Sequence, residues 1–203
     1  MALDVDLFNK AELGTIGARI YSWDGPWVSL GVSQSPERAL LTDKVPWVSR
    51  PTGGKAVLHG HDVTIGLAAT FGSLGLQGQL RPSVNQVYAL VVPILARSLA
   101  ACGLEVSVGS QGHDLNHIGP VVDCFAHVAP VDMVLTGSSQ KVCGCALKLG
   151  KKSVLVQASV PASSPLVDPA LVFRRPAPIF WVKLDPGEFA EALDCELRKL
   201  QIP

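Results

Sequence analysis

The stretch Arg50-Pro51-Thr52-Gly53-Gly54-Lys55-Ala56-Val57-Leu58-His59 constrains this chain more than any other. Two adjacent glycines let the backbone bend sharply and approach another surface closely, because neither carries a Cβ. Any fold must therefore place a tight bend between an extended segment ending at Arg50 and a strand opening at Val57. Arg50 and Lys55 bracket the bend. A carboxylate, phosphate or polarised carbonyl could sit between those side chains and the backbone N–H groups. The plainer alternative is a glycine hairpin carrying two solvated cations.

Hydrophobic spacing supplies the elements around this bend. Residues 1–10, with Leu3, Leu7 and Phe8, predict a short amphipathic helix. Residues 19–23 alternate as a strand, Asp24-Gly25-Pro26 turns, and residues 27–32 return as its partner. Ser35-Pro36-Glu37 opens a short helix, with Ser35 as cap and Pro36 at the first helical position. Residues 45–49 are extended, and 57–58 and 63–67 read as strands. Gly72 to Gly78 reads as a mobile surface loop. The clearest helix runs from Ser83 to Cys102, with the stripe Val84, Val87, Tyr88, Val91, Leu95 and Leu99 and a kink expected at Pro93.

Further on, residues 105–108 and 132–136 predict strands. A polar loop at 111–120 holds His113 and His117. Residues 140–149 and 153–159 flank Gly150-Lys151-Lys152 as a hairpin. A proline-rich connection at 161–178 precedes a last helix opened by Asp185-Pro186-Gly187-Glu188, with the stripe Phe189, Leu193, Leu197 and Leu200. The pattern predicts one α+β domain over residues 1–203, with mixed, mostly antiparallel sheet flanked by helices.

Of the 203 residues, 48% are hydrophobic and 17% charged, which describes a chain that buries a core. Seventeen Lys and Arg balance seventeen Asp and Glu, so net charge provides no footprint for nucleic acid or an anionic membrane. Asp4 and Asp6 stand where a secretory leader needs cations, and the apolar run at 89–96 is too short to span a bilayer. A soluble cytoplasmic protein is expected, and its five cysteines are then thiols.

Cys124 is the candidate nucleophile. It follows a loop containing Gly112, Gly119 and Pro120, outside any periodic apolar run, whereas Cys102 sits inside one. Attack at neutral pH requires a nearby cation, histidine or helix N-terminus; Lys141, His59, His117 and His127 are the candidates. The alternative is an inert core thiol. Lys141 opens Val142-Cys143-Gly144-Cys145-Ala146. It reads either as a strand-edge lysine in water or as a cation aimed into a site that Gly144 leaves open. Cys143-x-Cys145 with His113-x3-His117 raises a zinc possibility, but no second close cysteine pair completes the set and no metal is expected. Phosphate-loop, dinucleotide and nucleophile-elbow motifs are absent.

Four segments together resemble the catalytic-domain family of biotin and lipoate protein ligases, which includes octanoyltransferases. They are Met1-Ala2-Leu3-Asp4; residues 19–34 with Trp23, Ser29-Leu30-Gly31 and Gln34; the Arg50–His59 stretch; and Lys141-Val142-Cys143-Gly144-Cys145-Ala146. The pair Cys124-Phe125 is similar to that of octanoyltransferases that work through a cysteine acyl-enzyme. Gly144-Cys145-Ala146-Leu147 replaces that family's usual Gly-Ser-Ala-Gln, and Gln157-Ala158-Ser159 replaces Gln-His-Gly-Ser.

The resemblance implies a class II ligase-like fold without an accessory C-terminal domain. It implies Cys124 and Lys141 as catalytic residues, with Lys141 polarising the acyl carbonyl. Arg50, Thr52, Gly53, Gly54, Lys55, Ala56, Val57, His59 and Gly144 then bind substrate. The implied donor is octanoyl acyl carrier protein and the acceptor a lipoyl-domain lysine, with no cofactor. Two alternatives are a lipoate ligase subunit using ATP and Mg with a separate accessory subunit, and a non-catalytic binder of acyl-carrier or lipoyl domains.

Overall fold

The computed structural model describes residues 1–78, 81–109, 113–114 and 121–200. In chain order these form α1 (Ala2–Glu12), β1 (Gly17–Tyr21), β2 (Trp27–Leu30), α2 (Pro36–Ala39), β3 (Trp47–Ser49), β4 (Val57–His59) and β5 (Asp62–Thr70). Then come α3 (Val84–Ala101), β6 (Val106–Val108), β7 (His113–Asp114), β8 (His127–Val128) and β9 (Met133–Leu135). The long hairpin β10 (Lys141–Leu149) and β11 (Ser153–Pro161) and the final helix α4 (Pro186–Lys199) complete the domain.

A six-stranded sheet in the order β1-β5-β11-β10-β9-β6 is antiparallel at every pairing. A smaller sheet, β3-β2-β4, pairs β2 parallel to β3 and antiparallel to β4. The expected mixed, mostly antiparallel α+β architecture is therefore present.

The main core lies between the large sheet and the pair α3 and α4. Val63, Ile65, Leu67, Val154, Val156 and Val160 face Val87, Val91, Leu95, Phe189 and Leu193. Burial of each such side chain contributes about 1.5–3 kcal/mol. The α3 start has a reciprocal capping box, with Gln86 N donating to Ser83 Oγ and Ser83 N to Gln86 Oε1. By length and composition α3 would pass for a membrane-crossing helix. Here one of its faces forms the centre of the core.

Two expectations need correction. β2 is not the partner of β1, which pairs with β5. The side chains decide this: Ile20 packs against the main core, while Val28 and Leu30 pack with Ala39, Val45, Leu58 and Phe173 in a separate one. A tight hairpin between β1 and β2 would leave one of the two sets in water. The Gly72–Gly78 segment is likewise not a loose surface loop, because Phe71, Leu74 and Leu76 insert into the main core.

Candidate active site

The Gly-Gly bend is organised from within by Arg50. Its Nη1 donates to Ser29 O at 2.9 Å and Ser29 Oγ at 3.2 Å, and its Nε to Thr52 Oγ1 at 3.2 Å. Nη2 donates to the carbonyls of Gly53 at 2.7 Å and Lys55 at 2.6 Å. A guanidinium has five N–H donors, and all five are used on the protein itself. Arg50 is therefore not half of an anion clamp: it is a staple that holds the bend in shape.

Thr52, fully buried, passes its hydroxyl hydrogen to Gln157 Oε1 at 2.8 Å. Gln157 in turn donates to the buried Asp4 of α1 at 2.6 Å. Asp4 also accepts from Arg19 and Tyr21, which links the bend to the first helix. The bend needs Gly54, within it, and Gly31, against which it packs. Gly54 has φ +88°, and its carbonyl lies 2.1 Å from where a Cβ on Gly31 would stand.

Ala56 joins the bend to the cysteine segment. It forms a parallel bridge with Asp123, donating to Val122 O at 2.9 Å while its carbonyl accepts from Cys124 N at 2.8 Å. Segments distant in sequence are thereby pinned side by side. Phe125, behind the cysteine, is buried.

Lys141 is not a solvated edge lysine. It is 5% exposed, and its ammonium donates to Cys124 O at 2.8 Å and His127 O at 3.0 Å. Asp132 Oδ2 lies 2.6 Å away and Cys124 Sγ 3.4 Å. Burial alone would push this ammonium down. The Cys124 sulfur and the Asp132 carboxylate outweigh that and hold it above the usual lysine range, so it stays a cation. An ammonium has three N–H donors, and here two carbonyls, a carboxylate and the Cys124 sulfur share them. The expected hydrogen bond from Lys141 to an acyl carbonyl would have to replace one of these partners.

Gly144 explains how sulfur and cation meet. A Cβ there would lie 3.0 Å from Lys141 Cε and 3.1 Å from Cys124 Sγ. The missing side chain makes room for the thiol and the ammonium, which is a narrower role than opening the strand to any ligand.

Two cavities meet at Cys124. The narrower, about 50 Å³, is walled by Val57, Gly144, Ala146 and Ala158, with Ser29 and His59 also lining it. The wider, about 300 Å³, is bounded by Val84, Tyr88, Val131 and Leu147, with Lys141 and Asp132 also lining it. Cys124 is partly exposed and borders both. Gly54, Lys55 and Ala146 also border both, and Gly53 borders the wider cavity. Thr52 and Ala56, fully buried, line neither cavity and belong to the bend's interior.

His59 does not serve as the helper of Cys124. Its Nδ1 lies 2.8 Å from Asp62 Oδ2 and its Nε2 2.8 Å from Ser29 Oγ, and its ring stacks on Trp23 with centroids 4.3 Å apart. His127 lines the wider cavity. His117 lies outside the described residues, as does most of the predicted loop at 111–120.

Among the other thiols, burial pushes Cys102, Cys143 and Cys145 up, away from the reactive form. Among the described residues no His, Cys, Asp and Glu group has metal-binding geometry. Asp132 escaped the reading of the sequence. Its one local signal is a lone acid between Val131 and Met133, at the first position of a predicted strand.

A cysteine and a buried cation thus stand at the junction of two cavities on this sheet. The model of the lipoyl protein ligase A/B catalytic domain matches residues 1–177, and the chain belongs to that family.

The octanoyltransferase LipM of Oceanobacillus iheyensis is 28% identical over 171 residues, covering 80% of this chain and 59% of that protein. Its namesake from Carboxydothermus hydrogenoformans is 31% identical over 155 residues, covering 72% and 54%. The chain spans about half the length of such curated relatives.

A lipoate-protein ligase A solved with ATP superposes with a TM-score of 0.69 at 18% identity, covering 98% of this chain and 78% of that one. The bipartite lipoate protein ligase of Thermoplasma acidophilum does so with a TM-score of 0.66 at 16% identity, covering 98% and 79%. At these identities the likeness is one of fold.

Proposed function

We propose that the chain transfers an octanoyl or lipoyl group to the lysine of a lipoyl domain through a thioester on Cys124, with octanoyl acyl carrier protein as donor. The observation that carries this reading is the position of Cys124, partly exposed between two cavities with a buried ammonium 3.4 Å from its sulfur. The relatives named octanoyltransferase support the choice of acyl group.

In the proposed first step the Cys124 thiolate attacks the donor thioester carbon. A new C–S bond forms, the carrier's C–S bond breaks, and the carrier thiol takes up the proton lost by Cys124. The acyl chain enters the narrower cavity along Val57, Ala146 and Ala158. The acceptor amine then attacks through the wider cavity, an amide forms, and Cys124 regains a proton. The cationic Lys141 stabilises the thiolate through its charge. Each thioester contains its own leaving group, so this sequence uses neither ATP nor a metal. A reducing cytoplasmic setting would keep Cys124 available.

Intact-mass spectrometry after incubation with octanoyl carrier protein tests the proposal. The expected result is one added octanoyl group, absent from Cys124→Ala, with transfer to a lipoyl domain lost by at least about a thousandfold. Undiminished transfer by Cys124→Ala would overturn the nucleophile assignment. Transfer that requires lipoate and ATP would turn the reading to a ligase.

A further inference from the structure

The Asp132 carboxylate is the one full negative charge against the Lys141 ammonium among the described residues, and both side chains are almost sealed from water. We propose that Asp132 is a positioning residue for acyl transfer, fixing the Lys141 cation beside the Cys124 sulfur. The proposal rests on the reading of Cys124 as the nucleophile.

Asp132 is set before Lys141 reaches it. Its Oδ2 accepts from Ala129 N at 2.7 Å, its own N donates to Ala129 O at 3.0 Å, and its carbonyl accepts from Gly109 N at 2.9 Å. A closed turn at the entrance to β9 thus presents the carboxylate at a defined point. Met133, the next residue, is fully buried and anchors the turn to the core.

Lys141 is brought to that point by an irregularity in its strand. The pairing of β10 with β9 shifts register between Lys141 and Cys143. Such a bulge re-aims a side chain. A flexible lysine stem held by carbonyls alone would have its direction restricted but its charge uncompensated. The carboxylate compensates it.

This arrangement defines what the lysine does. With its hydrogens shared among Cys124 O, His127 O, Asp132 and the Cys124 sulfur, Lys141 holds a positive charge against that sulfur. It does not accept a proton in this state, so it is not the general base. Part of its charge is compensated by Asp132. The other titratable groups near the pair are Arg50 and Lys55 on the bend, Tyr88 on α3, His127 on β8, and Cys143 and Cys145 on β10. Burial and the neighbouring negative groups push the Tyr88 phenol up, so it stays neutral near pH 7.

The test uses Asp132→Asn and Asp132→Glu in the full chain, with two readouts. One is the pH dependence of Cys124 alkylation by iodoacetamide, located by mass spectrometry. The other is the single-turnover rate of octanoyl transfer. Without the carboxylate the net charge beside sulfur becomes positive. The alkylation midpoint of Asp132→Asn is therefore expected to fall by about one pH unit. Its transfer rate is expected to fall about tenfold or more, with the KM for the carrier unchanged, because the cation loses its fixed position. Asp132→Glu restores the wild-type midpoint and most of the rate.

An Asn variant with the wild-type alkylation profile overturns the proposal, whatever its rate, since a purely structural turn residue would leave that profile in place. Should Asp132→Asn fail to fold, Lys141→Gln substitutes for it. With the cation gone and the carboxylate left facing the sulfur, alkylation at neutral pH should slow about tenfold, and an unchanged rate overturns the proposal. If wild-type protein takes up no acyl group, the transfer reading fails separately, and alkylation alone decides whether Asp132 governs the charge at Cys124.

Discussion

Ser29, His59 and Asp62 are linked Oγ to Nε2 and Nδ1 to Oδ2, each at 2.8 Å, the connectivity of a serine-hydrolase triad. Cys124, Lys141 and Asp132 form a second polar cluster, and members of both line the same narrow cavity. The triad-like cluster is closed. Ser29 Oγ also accepts from Arg50, and Asp62 Oδ2 accepts from Thr64 at 2.9 Å and Ser159 at 2.6 Å. Trp23 covers the His59 ring and donates to Thr64 at 2.9 Å. The cysteine cluster is open, because its sulfur borders a second cavity and a cation lies beside it. Residue type and hydrogen-bond order are therefore not enough to identify a nucleophile. The two clusters differ in access: of their six residues, Cys124 alone borders both cavities.

The comparison breaks most visibly at Asp62. Asp62→Ala leaves His59, Thr64 and Ser159 donors without their acceptor, and a loss of about 3–5 kcal/mol in urea unfolding is expected. The contrast requires that transfer per folded molecule survive in this variant. The same carboxylate gives a pH signature. Burial works against its charge, but His59 and the hydrogen bonds outweigh that and hold it below its ordinary 3.8. A lowered carboxylate stabilises the fold above that ordinary value, and the contribution fades as pH falls through the lowered one. Asp62→Asn should therefore be weaker at neutral pH and lose less on acidification below 3.8, as read from urea midpoints against pH.

Gly144→Ala acts on the other cluster. The atoms nearest the added Cβ are the ends of two side chains, Lys141 and Cys124, so the fold is expected to tolerate it. Displacing sulfur and ammonium should cost about a hundredfold in acyl transfer, with the melting temperature little changed. A large loss of stability with normal specific activity would show that the close contact at Gly144 is a packing feature.

The smallest effect belongs to Ser29→Ala. Removing this hydroxyl is expected to cost about 1 kcal/mol and to leave transfer unaltered. Labelling of the wild-type protein at Ser29 by a fluorophosphonate would erase the distinction between the two clusters.

Much of the scaffold was legible in the chain. Helical periodicity and the Ser83 and Asp185 caps located α3 and α4, and the Gly150–Lys152 turn located the β10–β11 hairpin, because spacing and turn chemistry act within a few residues. Cys124, Lys141 and the Gly-Gly bend were also marked, the first by its place outside an apolar run and the bend by its missing side chains.

The pairing of β2 was not readable, since adjacency in sequence favours a hairpin and only the division of apolar side chains between two cores rules against it. Nor were the destinations of the charges. Arg50 looked like an anion ligand until the carbonyls of Ser29, Gly53 and Lys55 converged on it. Asp132 had no mark until a register shift aimed Lys141 at it. Sequence alone determined where the long helices, the main hairpin and the Gly-Gly bend lie, and marked Cys124 and Lys141 as candidates. Tertiary structure decided which of those residues are spent on the fold and which remain available, because the state of a buried charge depends on partners that only long-range packing brings within reach.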